Sequence, residues 1–145
     1  MRSARAGGLI VATVVAAAVA CSDSGGPSGG LTGSYVLDTL RVDANPALDT
    51  SLATGTLVFS APASFVVGLT LKPPAVPGPG DSTIALSGTY TLVPTDSIYL
   101  NVGGFFTIPG TYAEAGNQLV LDILVPAGLI GSGTNPASVY MVWHK

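Results

Sequence analysis

Few side chains in this chain are suited to catalysis. Nucleophilic catalysis needs a base beside the nucleophile, and the single histidine, His144, lies one residue before the last one given. Lys72 lies in a proline-rich segment and Lys145 closes the sequence, so neither has the desolvated setting that a nucleophilic lysine needs. The sequence therefore predicts a protein that is not an enzyme, with His144 either a surface residue or a weak ligand.

The acidic side chains form no recognisable metal-binding or paired-carboxylate motif. Seven of them are spread along the chain after residue 30: Asp38, Asp43, Asp49, Asp81, Asp96, Glu114 and Asp122. None follows the Asp-x-Asp-x-Asp spacing of a calcium loop, and a single cysteine cannot build a cysteine-based zinc site. Asp43 and Asp49 flank one predicted loop, whereas Asp38 and Asp122 fall within predicted strands and should face water. We expect no metal and no cofactor.

The overall charge excludes further classes of function. Charged residues make up 9% of the chain, with five Lys and Arg against eight Asp and Glu. Such a balance cannot supply the basic surface that nucleic acid binding requires, so no nucleic acid partner is expected. Charge this sparse also argues against a disordered polyelectrolyte.

From residue 31 onward the apolar residues alternate with a period of two. The clearest run is Thr83–Val93, in which Ile84, Leu86, Tyr90 and Leu92 share one face and hydroxyl side chains share the other. That alternation is typical of a β-strand with one buried face. Glycine and proline recur too often for an amphipathic helix to compete. Seven further strands are predicted: Gly33–Val42, Thr54–Ser60, Ala63–Leu71, Ser97–Val102, Gly104–Tyr112, Gln118–Leu124 and Ser138–His144.

Eight short strands in residues 31–145 predict a single all-β domain, an antiparallel eight-stranded up-and-down barrel, with an Ig-like β-sandwich as the alternative. Tight turns are expected at Pro94–Asp96 and Ala115–Asn117. The first strand changes phase near Asp38, which predicts a β-bulge there. Gly33, Gly88 and Gly110 each precede a tyrosine by two residues, and we interpret them as making room for a large neighbour in the core.

The N-terminal residues 1–20 have the pattern of an export signal. Arg2 and Arg5 are followed by an uncharged segment, Gly7–Ala20, that is shorter than the ~20 residues of a membrane-spanning helix. A transmembrane anchor is the alternative. The segment ends in Ala18-Val19-Ala20-Cys21, which resembles a bacterial lipobox. The resemblance implies cleavage between Ala20 and Cys21 and attachment of diacylglycerol to the Cys21 thiol.

Residues 21–30 form a predicted flexible tether to the folded domain. They are rich in glycine and serine and contain nothing to pack, and nine such residues span roughly 15–18 Å. Loss of residues 1–20 would also remove two arginines, which leaves a mildly acidic chain. By resemblance to enterobacterial lipoproteins, Ser22 after the acylated cysteine favours the outer membrane. The membrane, reached through Cys21, is the expected partner.

Several short motifs of the β domain resemble small bacterial lipocalin-like lipoproteins with calycin-type barrels. They are Gly33-Ser34-Tyr35, Ser87-Gly88-Thr89-Tyr90, Gly116-Asn117-Gln118-Leu119 and the aromatic-rich last strand Val139–Trp143. The resemblance implies an envelope protein that binds a small apolar ligand or a lipid inside the barrel. The alternative is a structural or protein-interaction lipoprotein without a ligand pocket, since side chains can fill a small barrel.

The segment Val125–Asn135 is unusual because Leu129 and Ile130 lie among glycines. It is expected to pack into the core, to cover the barrel mouth as a lid, or to offer a patch to a partner.

Overall fold

A computed structural model describes residues 30–75, 79–129 and 134–145, and the chain forms a closed antiparallel barrel in this structure. Eight strands follow one another around the barrel in chain order: β1 (Gly33–Val42), β2 (Ala53–Ser60), β3 (Ser64–Leu71), β4 (Ser82–Val93), β5 (Ser97–Val102), β6 (Phe106–Ala115), β7 (Gln118–Val125) and β8 (Ala137–His144). The barrel closes where β1 pairs with β8. The predicted up-and-down barrel is confirmed, and the alternative of a sandwich is wrong.

The period of two in the sequence corresponds to the inner and outer faces of the barrel wall. In β7, for example, Leu119, Leu121, Ile123 and Val125 are buried, whereas Gln118, Asp122 and Leu124 are exposed. Because successive side chains of a strand point to opposite faces, each strand contributes an apolar inner row. These rows form one continuous core inside the barrel.

The predicted bulge in β1 is confirmed. The pairing of β1 with β8 shifts between Leu37, opposite Trp143, and Thr39, opposite Val142, so Asp38 is the extra residue. The shift brings Leu37 and Leu40, which have opposite parity in the sequence, to the same buried face. A bulge bends the strand locally, as closure of a barrel requires.

The two ends of the barrel differ in their connections. At the N-terminal end lie the start of β1, the end of β8 and the short turns 61–63, 94–96 and 116–117. At the opposite end, which we call the loop end, lie the longer connections 43–52, 72–81 and 126–136 and the tight turn 103–105. Both predicted tight turns, near 94–96 and 115–117, are therefore confirmed and lie at the N-terminal end.

Two expectations require correction. Strand β6 runs from Phe106 to Ala115, whereas the sequence predicts Gly104–Tyr112. It begins later than predicted because Gly103 and Gly104 have positive φ and form the turn before it. The expectation for Gly88 and Gly110 needs a sharper cause: although Phe65 lies opposite Gly88, the closest approach at both glycines is to backbone. A Cβ atom there would lie 1.9 Å from the backbone oxygen of Asn101 and 2.5 Å from that of Asp122, so these glycines accommodate the backbone of the neighbouring strand.

Candidate functional site

The barrel interior is almost filled by its own side chains. A cavity of ≈ 40 Å³ is present, lined by apolar side chains that include Phe65, Met141 and Trp143. Pockets for small molecules typically enclose ~300–1,000 Å³. In this structure the interior therefore has room for a few atoms, not for a ligand of ordinary size.

The interior is incompletely covered along β4. Ile84 and Leu86 line the cavity yet are only partly buried, and both lie in the half of β4 nearest the loop end. Leu129 from the connection before β8 also lines the cavity and packs against the core. Of the three roles considered for that segment, core packing is the one seen for Leu129, while Ile130 lies outside the described residues.

Trp143 combines complete burial with an unsatisfied polar group. Its side chain is 0% exposed, and its Nε1–H has no hydrogen-bond partner among the described residues. A buried donor without a partner costs about 1–3 kcal/mol. The large apolar area that Trp143 buries offsets this loss, so its position has a structural explanation.

Aromatic side chains close the N-terminal end of the barrel. The rings of Tyr35 and Tyr90 each meet Phe59 edge to face, with centroids 6.2 and 5.0 Å apart. The Tyr90 hydroxyl donates a hydrogen bond of 2.7 Å to the carbonyl of Leu31, whose side chain is buried. The segment that leads into β1 is thereby held against this end of the barrel.

A polar network at the same end joins three residues that are distant in sequence. Glu114 Oε1 accepts hydrogen bonds of 3.0 Å from both the Tyr35 hydroxyl and Lys145 Nζ. Lys145 Nζ also lies 5.2 Å from the centre of the Tyr35 ring. Burial raises the pKa of Tyr35, and the hydrogen bond that Lys145 donates to Glu114 raises the pKa of Lys145. Because β7 separates β6 from β8, the three residues meet across the N-terminal end of the barrel, and none of them lines the cavity.

This network predicts a loss of stability at high pH. Both pKa values are raised on folding, so the stability that they contribute is complete below the ordinary values near 10 and is lost as the pH rises through the raised values. We expect the free energy of unfolding, measured with denaturant, to fall as the pH rises above about 10, and Tyr35→Phe to reduce that fall. Tyr99→Phe, which removes an exposed hydroxyl outside the network, is the matched control; an equal effect of both variants would contradict the prediction.

The residues considered for chemistry in the sequence meet in small separate contacts and not in one site. His144 is exposed, and its Nδ1 lies 2.6 Å from Asp38 Oδ1 on the outer wall, beside the bulge. Asp43 accepts a hydrogen bond of 2.9 Å from the backbone N–H of Ser138, which lies near Asp122 at the loop end. These contacts stabilise loops and strand ends, and Asp38 and Asp122 face outward as expected.

Asp49 likewise stabilises its own loop. It accepts hydrogen bonds from the backbone N–H and the hydroxyl of Ser51, and these bonds lower its pKa. Asp43 and Asp49 have different hydrogen-bond partners. Residues 30–75, 79–129 and 134–145 contain no group of three or more His, Cys, Asp or Glu side chains placed to hold a metal ion. Lys72 is partly buried and hydrogen-bonds through its backbone to Leu52.

The predicted processing site, Ala20 and Cys21, lies outside the described residues. Within the described ranges, no helix is long and apolar enough to cross a membrane.

One feature of the outer wall was missed from the sequence. Strands β2, β3, β4 and β5 are neighbours, and their sequences contain no Asp, Glu, Lys, Arg or His. All charged strand residues lie on the other half of the barrel, on β1, β6, β7 and β8. The sequence signals this asymmetry only weakly, because segments 97–113 and 123–143, which contribute to the other half, are uncharged as well.

Comparison with known proteins identifies no relative: no protein-family model and no curated protein matches this chain.

Proposed function

We propose that this protein is an exported, non-enzymatic lipoprotein of the cell envelope that is anchored through Cys21 and acts through the outer wall of its barrel. The anchor rests on the sequence, in which a basic start, an uncharged segment and a small-residue run end at the single cysteine. Acyl chains contribute ~0.8 kcal/mol for each buried CH₂, so two or three chains on one residue hold a protein on a membrane durably.

The nearly filled interior is the observation that favours the outer wall over the barrel cavity. The cavity of ≈ 40 Å³ is far below the size of small-molecule sites, and the indole N–H of Trp143 is the one polar group among the side chains that line it. A barrel of eight strands is just wide enough for its own side chains to fill. Recognition is then left to the surface, where the uncharged half of the wall is the most distinctive region.

The anchor also gives the barrel a direction on the membrane. Gly30 and Leu31 enter the barrel at its N-terminal end, and nine tether residues after Cys21 span roughly 15–18 Å. The N-terminal end therefore lies nearest the membrane, and the loop end and outer wall are presented away from it. By resemblance to enterobacterial lipoproteins, Ser22 favours the outer membrane as the place of the anchor.

Replacement of Cys21 tests the anchor. We expect Cys21→Ser to move the protein from the membrane fraction to the soluble fraction, because no acyl chain can then be attached. Ser22→Ala, which leaves the thiol in place, is the matched control and should stay with the membrane. Membrane association that survives Cys21→Ser would overturn the proposed anchor.

Binding of a small apolar ligand or lipid inside the barrel is the second candidate. The incomplete burial of Ile84 and Leu86 favours it, because a ligand could extend the cavity along β4 if Leu129 moved aside. A stoichiometric apolar molecule that co-purifies with the protein would support this candidate against the outer wall.

A further inference from the structure

A groove on the outer wall, where β1 meets the uncharged strands β2 to β4, has the size and chemistry of a binding site. It is open to solvent and has a volume of ≈ 540 Å³ between the outer faces of β1 to β4 and the connection that precedes β2. That volume lies within the ~300–1,000 Å³ typical of small-ligand sites. Five threonines line it: Thr50, Thr54, Thr56, Thr70 and Thr83.

The register of the strands arranges these hydroxyl groups in a regular array. Thr54 pairs with Thr70, and Thr70 pairs with Thr83, so three threonines lie abreast on adjacent strands about 4.8 Å apart. Thr56 follows two residues after Thr54 on the same face. Among the described residues, none of the five hydroxyl groups hydrogen-bonds to another side chain or to the backbone.

Gly68 forms the floor of the groove. It faces outward between Thr56 on β2 and Ala85 on β4, and a Cβ atom there would find only Thr56 Oγ1, at 4.0 Å. The glycine therefore leaves backbone accessible where any other residue would raise the floor. Val36 from β1 adds an apolar side to the groove.

None of the residues that line the groove is charged, and this restricts what the groove can bind. An anionic ligand would require Lys or Arg, and a purely apolar ligand would cover hydroxyl groups without replacing their hydrogen bonds to water. A hydroxyl group both donates and accepts, and the hydroxyl groups of a sugar do the same. A neutral partner can also cover this wall without removing any charge from water.

We propose that this groove binds a neutral, hydroxyl-rich glycan. The inference rests on the proposed function, because it names the class of partner that the outer wall would recognise. An envelope protein held at the membrane by its N-terminal end would present the groove sideways to glycan chains around it.

Titration calorimetry with neutral hexasaccharides tests the proposal. The probes are linear hexamers of glucose and of N-acetylglucosamine, and the protein is the processed full chain in a detergent without a sugar headgroup. Gly68→Val fills the floor, and we expect it to weaken binding at least about tenfold, the effect of losing one or two hydrogen bonds. Ser87→Val, exposed on β4 outside the groove, is the control and should bind as the parent does.

A second variant separates loss of contact from loss of fold. Thr70→Val keeps the shape of the side chain and removes its hydroxyl, and it should also weaken binding while the melting temperature stays near that of the parent. Three results would each overturn the proposal: neither neutral hexamer binds, polygalacturonate binds equally well, or Gly68→Val leaves binding unchanged. So would a dimer in light scattering that Gly68→Val abolishes, since a second copy would then occupy the groove. None of these results depends on Cys21, so loss of the anchor in the fractionation experiment would be a separate outcome.

Discussion

Gly88→Ala should destabilise the barrel by about 3 kcal/mol, even though it adds a single methyl group. Gly88 lies on the inner face of β4, where it pairs with Val102 of β5 and faces Phe65 of β3. A Cβ atom there would lie 1.9 Å from the backbone oxygen of Asn101 and 2.9 Å from its carbonyl carbon. Backbone atoms cannot move aside as a flexible side chain can, so β4 and β5 would have to separate.

The matched control is Gly68→Ala on the neighbouring strand. Gly68 faces outward with open space around it, so alanine there should change the free energy of unfolding by no more than about 0.5 kcal/mol. Chemical denaturation of both variants, followed by circular dichroism, gives the comparison. Similar stabilities for Gly88→Ala and Gly68→Ala would contradict the close approach of β4 and β5.

Trp143→Ala should lower the free energy of unfolding by about 3–5 kcal/mol. Trp143 is completely buried on β8, opposite Leu37 of β1 and Leu119 of β7, where the barrel closes. Its removal would leave a large void beside the existing cavity and weaken the packing between the first and last strands.

The milder Trp143→Phe tests whether the indole N–H is unsatisfied. Phenylalanine loses part of the buried area but also removes a buried donor without a partner, which costs about 1–3 kcal/mol. We therefore expect a loss below about 2 kcal/mol, measured by denaturation with circular dichroism as the probe. A loss as large as that of Trp143→Ala would contradict this explanation and indicate that the N–H is satisfied in solution.

Gly88 shows where prediction from the sequence ends. The strands and the bulge at Asp38 follow from local alternation, because one face of every strand is buried and a change of parity must be absorbed. The start of β6 was placed too early because Gly104 lies between apolar residues yet adopts a turn conformation with positive φ. The role of Gly88 depends on the distance between two strands, which no local pattern contains.

The contacts of the candidate site depend on register in the same way. Tyr35, Glu114 and Lys145 meet because β1 and β8 are neighbours at the N-terminal end and Lys145 follows β8 directly, which only closure of the barrel brings about. The small size of the cavity depends on how the inner side chains fit together, and alternation predicts only that they are apolar. The uncharged half of the wall was present in the sequence, but it becomes a surface only when β2 to β5 are known to be adjacent.

Intact-mass spectrometry of the protein, extracted from bacterial membranes under native conditions, tests the central claim most directly. The proposed function predicts a chain that begins at Cys21 and carries acyl groups on that residue, without a bound apolar molecule in stoichiometric amount. A chain that retains residues 1–20, or one whose Cys21 is unmodified, would contradict the anchor. A stoichiometric apolar ligand would contradict the claim that the barrel acts through its outer wall.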